Sequence, residues 1–234
     1  MLSDKYNYSL NGIEHEIILN HNLKIDKKHI NEKILVSNKY LLKYINDLFD
    51  YNNIEYVLVN TALLGVYVFN GINIFDEKLE ICTLNSNFFK LKKMEDEIKN
   101  DDFQIQYNET YIKISSMFFD RIKVSVYIYP LENQMNDDIL THKTFDDKNI
   151  FHKFYDIFPI KKQKFEEFEM SVPNKINNVL ESYNFNLNYI SFTKKKNDNK
   201  RIIEEVEQKM TLNTLIKDNI NNIVSIIKPL FYNN

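Results

Sequence analysis

The residues best placed to do chemistry lie in one short stretch, GINIFDEKLEICT, residues 71–83. In an extended chain every second side chain points the same way, so Asp76, Lys78 and Glu80 share one face while Glu77, Leu79 and Ile81 share the other. Carboxylates at alternate positions of a strand suit a divalent cation, because Mg²⁺ and Mn²⁺ prefer oxygen ligands. The middle member of this set is a lysine. A protonated ammonium only donates hydrogen bonds and cannot ligate a metal. A lysine about 4 Å from a bound cation would be repelled by about 4 kcal/mol per unit charge at an effective dielectric near 20. Lys78 can instead neutralise Asp76 and Glu80 in an ion pair, or take a metal's place and grip a phosphate or other anion.

Other constellations are weaker. The five histidines, His15, His21, His29, His142 and His152, have no metal-ligand spacing and read as isolated core or surface residues. Asp137-Asp138 and Asp146-Asp147 fall in loop-like sequence and read as solvated acids. With only three glycines there is no phosphate-cradling fingerprint. Cys82, the single cysteine, sits in an apolar run and cannot form an internal disulfide, which is compatible with a reducing compartment.

The elements that must position these residues follow from periodicity. Leu41, Leu42, Ile45, Leu48 and Phe49 recur at helical steps, and Asn52-Asn53 can end that helix. IEYVLVN (54–60) is short and β-branched, so a buried strand is expected. TALLGVYVFNG is either a short helix or a helix-like turn, and the acidic stretch follows as a second strand ending near Leu84. Residues 88–99 read as a surface helix, FQIQY with TYIKISS as a hairpin, and RIKVSVYIYP as a strand that Pro130 ends. Residues 133–149 read as a polar loop, 174–183 as a helix, and 203–227 as a C-terminal helix stopped by Pro229. The expected divisions are 1–37, a polar segment; 38–190, the main domain; and 191–234, a linker with the C-terminal helix. This order of helices and strands predicts an α+β domain with helices against a mixed sheet.

A hydrophobic content of 44% over 234 residues supports a globular core, and a net charge of −3 with a pI near 6.0 argues against a nucleic-acid binder. Lys194-Lys195-Lys196 reads as part of a solvated linker, and the abundance of Lys and Asn as the mark of an A/T-rich genome. No apolar run reaches the roughly 18 residues of a membrane span, and the N-terminus lacks the apolar core of a signal peptide. A soluble, cytoplasmic protein is expected.

Three segments together resemble the LicD/fukutin-related family of nucleotidyltransferase-fold proteins. LFDYNNIEYVLVNTALLGVYVFNGINIFDEKLEI resembles the family's helix, strand, Gly-Thr-Leu-Leu-Gly turn and acidic Trp-Asp-Asp-Asp-Ile-Asp strand. VYIYPL stands where the family has a strand with Asp-Ile-Phe-Pro, and FPIKKQKFEEFEMSVPNKINNVLESYNF resembles its closing Phe-Pro-Leu, Phe-Glu, Val-Pro and Leu-x-x-x-Tyr-Gly pattern. The resemblance implies a nucleotidyltransferase-like mixed sheet flanked by helices over residues 38–190, with a C-terminal helical extension outside it. It also implies a metal-dependent transfer of a phosphorylated group from a CDP-linked donor to a glycan. Carried over by position, the family's Gly-Thr becomes Thr61-Ala62 and its arginine falls on Val68. Its aromatic survives as Phe75, its first acids as Asp76 and Glu77, and its Asp-hydrophobic-Asp pair becomes Lys78-Leu79-Glu80. The later strand's aspartate falls on Tyr127, so of the three implied metal carboxylates only Glu80 keeps an acid, unless the alignment slips and restores another.

Loss at Thr61, Val68, Lys78 and Tyr127 together leads to the expectation of a catalytically degenerate member that binds or assembles. A protein partner, or a nucleotide or CDP-linked ligand held through Thr61 and Lys78, would then be its target. No cofactor is expected on this reading. The alternative is a divergent phosphotransferase using Lys78 with Asp76, Glu77 or Glu80, and Mg²⁺ or Mn²⁺ held by Asp76 and Glu80.

Overall fold

The computed structural model of the chain describes residues 5–10, 13–18, 32–73, 78–118, 122–134, 138–165, 168–185, 189–192 and 208–211. Phe75, Asp76 and Glu77 lie outside the described residues. Two compact units divide the chain, Met1–Tyr183 and Asn184–Asn234.

The first unit opens with an antiparallel hairpin, β1 (Lys5–Leu10) and β2 (Ile13–Ile18), within the segment read from composition as polar. Helix α1 (Glu32–Tyr51) starts well before Leu41, the first residue of the predicted stripe. Ser37 lies inside the helix, where its hydroxyl donates to the Lys33 carbonyl at 2.7 Å instead of capping an end. The predicted stripe is buried as expected, with Leu41, Leu42, Ile45, Leu48 and Phe49 inaccessible to solvent. The predicted stop also holds. Asn53 adopts φ 51°, and the Ile54 N–H reaches back to the Phe49 carbonyl at 2.8 Å.

Strand β3 (Tyr56–Leu58) leads into α2 (Asn60–Phe69), which resolves the helix-or-turn ambiguity in favour of a helix. Ala62, Leu63, Leu64 and Val66 are all buried, so no polar face marked it as amphipathic. Gly65 is required here by close approach: a Cβ would stand 2.5 Å from the Asn73 backbone nitrogen and 2.6 Å from the Gly71 carbonyl oxygen. Then come β4 (Leu79–Leu84), α3 (Asn85–Lys93), α4 (Glu95–Asn100), β5 (Gln104–Tyr107), β6 (Ile112–Phe118) and β7 (Ile122–Asn133). The predicted β5–β6 hairpin forms in antiparallel register.

Strand β7 does not end at Pro130. The proline pairs with Thr83 of β4 and the strand runs on to Asn133. Pairing with β6 stops at Ile128, so no partner on that side needs a proline N–H. The polar stretch after β7 is not a loop either: it folds as an antiparallel hairpin of β8 (Ile139–Lys143) and β9 (Asn149–Lys153). Alternation in β8 and β9 is carried by Leu140, His142, Ile150 and His152, and two buried histidines do not register as apolar positions.

The sheet order is β3-β4-β7-β6-β5, with β8 pairing the end of β7 and β9 pairing β8. Only the β4–β7 pair is parallel among these described strands. A short α5 (Phe154–Ile157), the hairpin β10 (Lys161–Phe165) with β11 (Phe168–Val172), and α6 (Ile176–Ser182) complete the unit. The class is α+β, a mixed sheet with helices against it. One face of the sheet meets α1, where the Tyr56 hydroxyl donates to Asn46 at 2.6 Å.

In the second unit β12 (Tyr189–Phe192) pairs antiparallel with β13 (Gln208–Thr211). Residues 208–211 are therefore strand, not part of a helix over 203–227. Met210 fits a helical step, but it also fits opposite Ile190, and a four-residue stretch is too short for its period to decide. The rest of that predicted helix lies outside the described residues.

Candidate functional site

Glu80 and Tyr127 are partners in the parallel β4–β7 register, and Cys82 faces Tyr129 one step further on. Alternation then puts Lys78, Glu80 and Cys82 on one face of β4, beside Tyr127 and Tyr129 on β7. Exposure falls steadily along this face. Lys78 is exposed, Tyr127 half-buried, Glu80 only 2% exposed, and Tyr129 and Cys82 fully buried.

At the inner end Glu80 is held by two donors. Asn60 Nδ2 donates to its Oε2, and the Tyr129 hydroxyl donates to its Oε1 at 2.6 Å. Asn60 is the first residue of α2 and adopts φ 51°, a conformation that asparagine tolerates better than most residues. Burial pushes the Glu80 carboxyl pKa up, while Tyr129, Asn60 and the nearby Lys78 charge pull it down. Asp146 adds to the upward push. Burial, with the Glu80 charge beside it, also drives the Tyr129 phenol well above its ordinary value, so it acts as a fixed donor.

Behind Glu80 lies a set of rings that spacing did not reveal. Tyr129 stacks on His142, and His142 stacks on His152, each pair with centroids 5.3 Å apart. His142 and His152 are thus not isolated, while His21 and His29 lie outside the described residues. Ser182 donates to the Val179 carbonyl at 2.7 Å, so its oxygen accepts from His152 Nδ1–H at 3.1 Å. His142 Nε2 meets the Tyr183 hydroxyl at 2.8 Å. His142 Nδ1 and His152 Nε2 have no hydrogen-bond partner among the described residues. The least costly tautomers leave lone pairs, not N–H groups, at these two atoms. Burial, with some help from His152, lowers the His142 pKa from 6.5 to about 3; burial lowers that of His152 to about 4 against a smaller opposing pull from Asp156.

The outer end is built differently. The Tyr127 ring packs edge-on to Tyr111 at 5.2 Å and against Phe145 at 5.2 Å. The Lys78 ammonium lies 4.0 Å from the Phe145 centroid, and Lys113 lies 5.3 Å from that of Tyr127. Phe145 belongs to the β8–β9 tip, which its own contacts hold together. The Thr144 N–H donates to the Lys148 carbonyl at 2.9 Å, the Thr144 hydroxyl to Asp146 at 2.5 Å, and Lys148 pairs with Asp146 at 2.7 Å.

The structure therefore brings together Lys78, Glu80 and Tyr127, with Thr61 half-buried beside Asn60 at the start of α2. Asn60, Tyr129, His142 and Phe145 escaped the sequence reading. Tyr129 alone had a usable signal, two residues beyond Tyr127 on the same strand face. The described residues do not fit a divalent-cation site. Both oxygens of Glu80 face hydrogen-bond donors, its cross-strand partner is a phenol, and the neighbour on its own face is a cation. No group of three or more His, Cys, Asp or Glu side chains among the described residues is placed to hold a metal ion.

A mixed sheet with an α2 turn feeding the carboxylate-bearing strand defines a nucleotidyltransferase-like α+β domain. Residues 53–175 match the LicD/FKTN/FKRP nucleotidyltransferase domain, and the chain belongs to that family. It is 27% identical to an uncharacterized protein of Rickettsia prowazekii over 153 residues, 64% of this chain and 55% of the relative. It is 26% identical to an uncharacterized protein of Rickettsia typhi over 162 residues, 68% of this chain and 50% of the relative. The chain thus spans about half the length of these curated relatives. Among solved structures, the lincomycin-bound lincosamide antibiotic adenylyltransferase LnuA aligns at 16% identity with a TM-score of 0.38, covering 65% of this chain and 86% of that one. Among the described residues no helix is long and apolar enough to cross a membrane.

Proposed function

We propose that this chain is a catalytically degenerate member of the LicD family, a nucleotidyltransferase-fold domain that serves in binding or assembly. The observation that supports this reading is the state of Glu80, the one carboxylate kept at an implied ligand position. It is buried, and each of its oxygens already accepts a hydrogen bond. A carboxylate used in this way holds α2 and β7 together through Asn60 and Tyr129. To ligate a cation it would have to give up at least one of those donors and leave a buried polar group unmatched. Tyr127 and Lys78, at the other two positions, supply no anionic oxygen ligand under ordinary conditions. The target of binding is a protein partner, or a nucleotide or CDP-linked ligand held without metal through Thr61 and Lys78.

Calorimetry of the purified chain with CTP, CDP-choline and CDP-ribitol, with and without Mn²⁺, tests the reading. The expected result is that Mn²⁺ changes no binding isotherm. Mn²⁺-dependent binding would overturn it in favour of the divergent phosphotransferase, with Asp76 and Glu77 as the residues to substitute first.

A further inference from the structure

Strand β9 pairs with β8 on one side, and no described strand pairs with its other edge. The direction of its backbone groups follows from the two ends of that pairing. The Phe154 N–H donates to the Asp138 carbonyl at 2.6 Å, and the Thr144 N–H donates to the Lys148 carbonyl at 2.9 Å. In an antiparallel ladder, alternate residues turn both backbone groups toward the neighbouring strand. Ile150 and His152, in step with Lys148 and Phe154, therefore face β8, while Asn149, Phe151 and Lys153 turn their N–H and C=O groups outward. The side chains of those three residues are exposed, and those of Ile150 and His152 are buried. The strand is held in place from behind, since His152 stacks on His142 and hydrogen-bonds to Ser182.

Open edges are usually guarded by charge, proline or a bulge. The centre of this one carries Phe151, 54% exposed, and its one lysine stands at the last position, with the ammonium 5.7 Å from the Tyr155 ring centroid. We propose that β9 is a self-pairing edge: two copies of this chain join β9 to β9 antiparallel about a two-fold axis at Phe151, making one continuous sheet. In that register Phe151 lies opposite Phe151 of the second copy and Asn149 lies opposite Lys153. Every outward N–H and C=O of the three residues then finds a partner, and the two central rings form a cross-strand aromatic pair. Registers displaced one way bring the two lysines together and leave Asn149 unpaired, and those displaced the other way leave Lys153 unpaired; like charges set opposite each other also cost stability. Asp147, exposed and two residues before Asn149, comes beside the second copy's Lys153 and places opposite charge at each end of the pairing. Phe154 and Tyr155, the next residues along the chain, are also exposed and widen the apolar patch.

Sedimentation velocity of the full chain over a concentration series, unaltered and as F151K and F151P, tests the pairing. An edge this short falls at the small end of specific interfaces, so a reversible dimer with a dissociation constant on the order of tens of micromolar is expected. F151K sets two ammonium groups against each other at the axis and is expected to weaken the dimer about tenfold or more. F151P removes an outward N–H that β8 does not use and is expected to abolish the dimer. Circular dichroism and thermal unfolding check the fold of each variant, and F151K, which leaves the backbone unaltered, carries the test should F151P disturb the strand. A chain that stays monomeric up to roughly 300 μM overturns the proposal, as does a dimer that a folded variant retains at full strength. This contact is separate from the Glu80 site: Mn²⁺-dependent nucleotide binding would overturn the degenerate-site reading and leave the pairing of β9 as it is.

Discussion

The two ends of one sheet face, a few residues apart on the same pair of strands, handle charge in opposite ways. At the inner end, Glu80 is buried and its charge is met by hydrogen bonds from Asn60 and Tyr129, with a stacked tyrosine–histidine column behind. At the outer end, Lys78 is exposed and faces an aromatic ring. The difference teaches where each residue is free to change. The inner cluster is a closed set in which removing one member strands another, while the outer set consists of weak contacts that water can replace. Glu80 is committed to the core, and Lys78 and Tyr127 lie nearer solvent.

Acid should break the comparison hardest. The folded-state pKa values of His142 and His152 are depressed to about 3 and 4 from an ordinary 6.5. Their stabilising contribution is therefore complete above pH 6.5 and is lost as pH falls toward those values, because the unfolded chain takes up the protons first. Each histidine contributes a slope of about 1.4 kcal/mol per pH unit over that window. Glu80 runs the other way: its raised pKa gives stability present below 4.5 and lost as pH rises through its folded value, which offsets part of the histidine slope in the lowest range. Urea unfolding from pH 8 to 4.5 should show a steep loss below 6.5, and His142→Phe should remove about one histidine's share. An unchanged slope in that variant would mean that the ring column is not what titrates.

Tyr129→Phe should cost about 2 kcal/mol, since it deletes one charge-assisted hydrogen bond while leaving the ring to pack. Equilibrium unfolding measures it, and a loss below a few tenths of a kcal/mol would mean that Glu80 is satisfied without its phenol. Lys78→Ala should be the mildest change, under about 1 kcal/mol, because the contacts of an exposed cation compete with its hydration. A larger loss would place Lys78 with the closed inner set.

The elements whose periodicity repeats were legible in the sequence. Leu41 to Phe49 announced α1, and FQIQY with TYIKISS announced the β5–β6 hairpin. Pro130 misled because a proline stops a strand only where a partner needs its N–H, and that depends on β6, which is remote in sequence. The β8–β9 hairpin was invisible because half of its buried positions are histidines, whose burial depends on Ser182 and Tyr183 some thirty to forty residues away. The family motif located Glu80 and Tyr127, and the strand register makes them neighbours. The motif carried no information about Asn60 or Phe145, which reach the site from a helix start and a hairpin tip.

The parallel pairing of β4 with β7 has a consequence for the order of folding. Strands β5, β6 and β7 form a meander of neighbouring antiparallel pairs, each closed by a short connection, whereas Leu79–Leu84 must find Val126–Leu131 across about forty residues of intervening chain. Loop closure over that distance costs more entropy before any contact repays it, so the meander can assemble first and recruit β4 afterwards. The β8–β9 hairpin pairs its backbone with β7 at Glu132 and Asn133, past the end of β6, and need not wait for β4. Glu80 is then delivered to a half-built nest, and its arrival, which brings Asn60 and α2 with it, is a late step that locks the sheet.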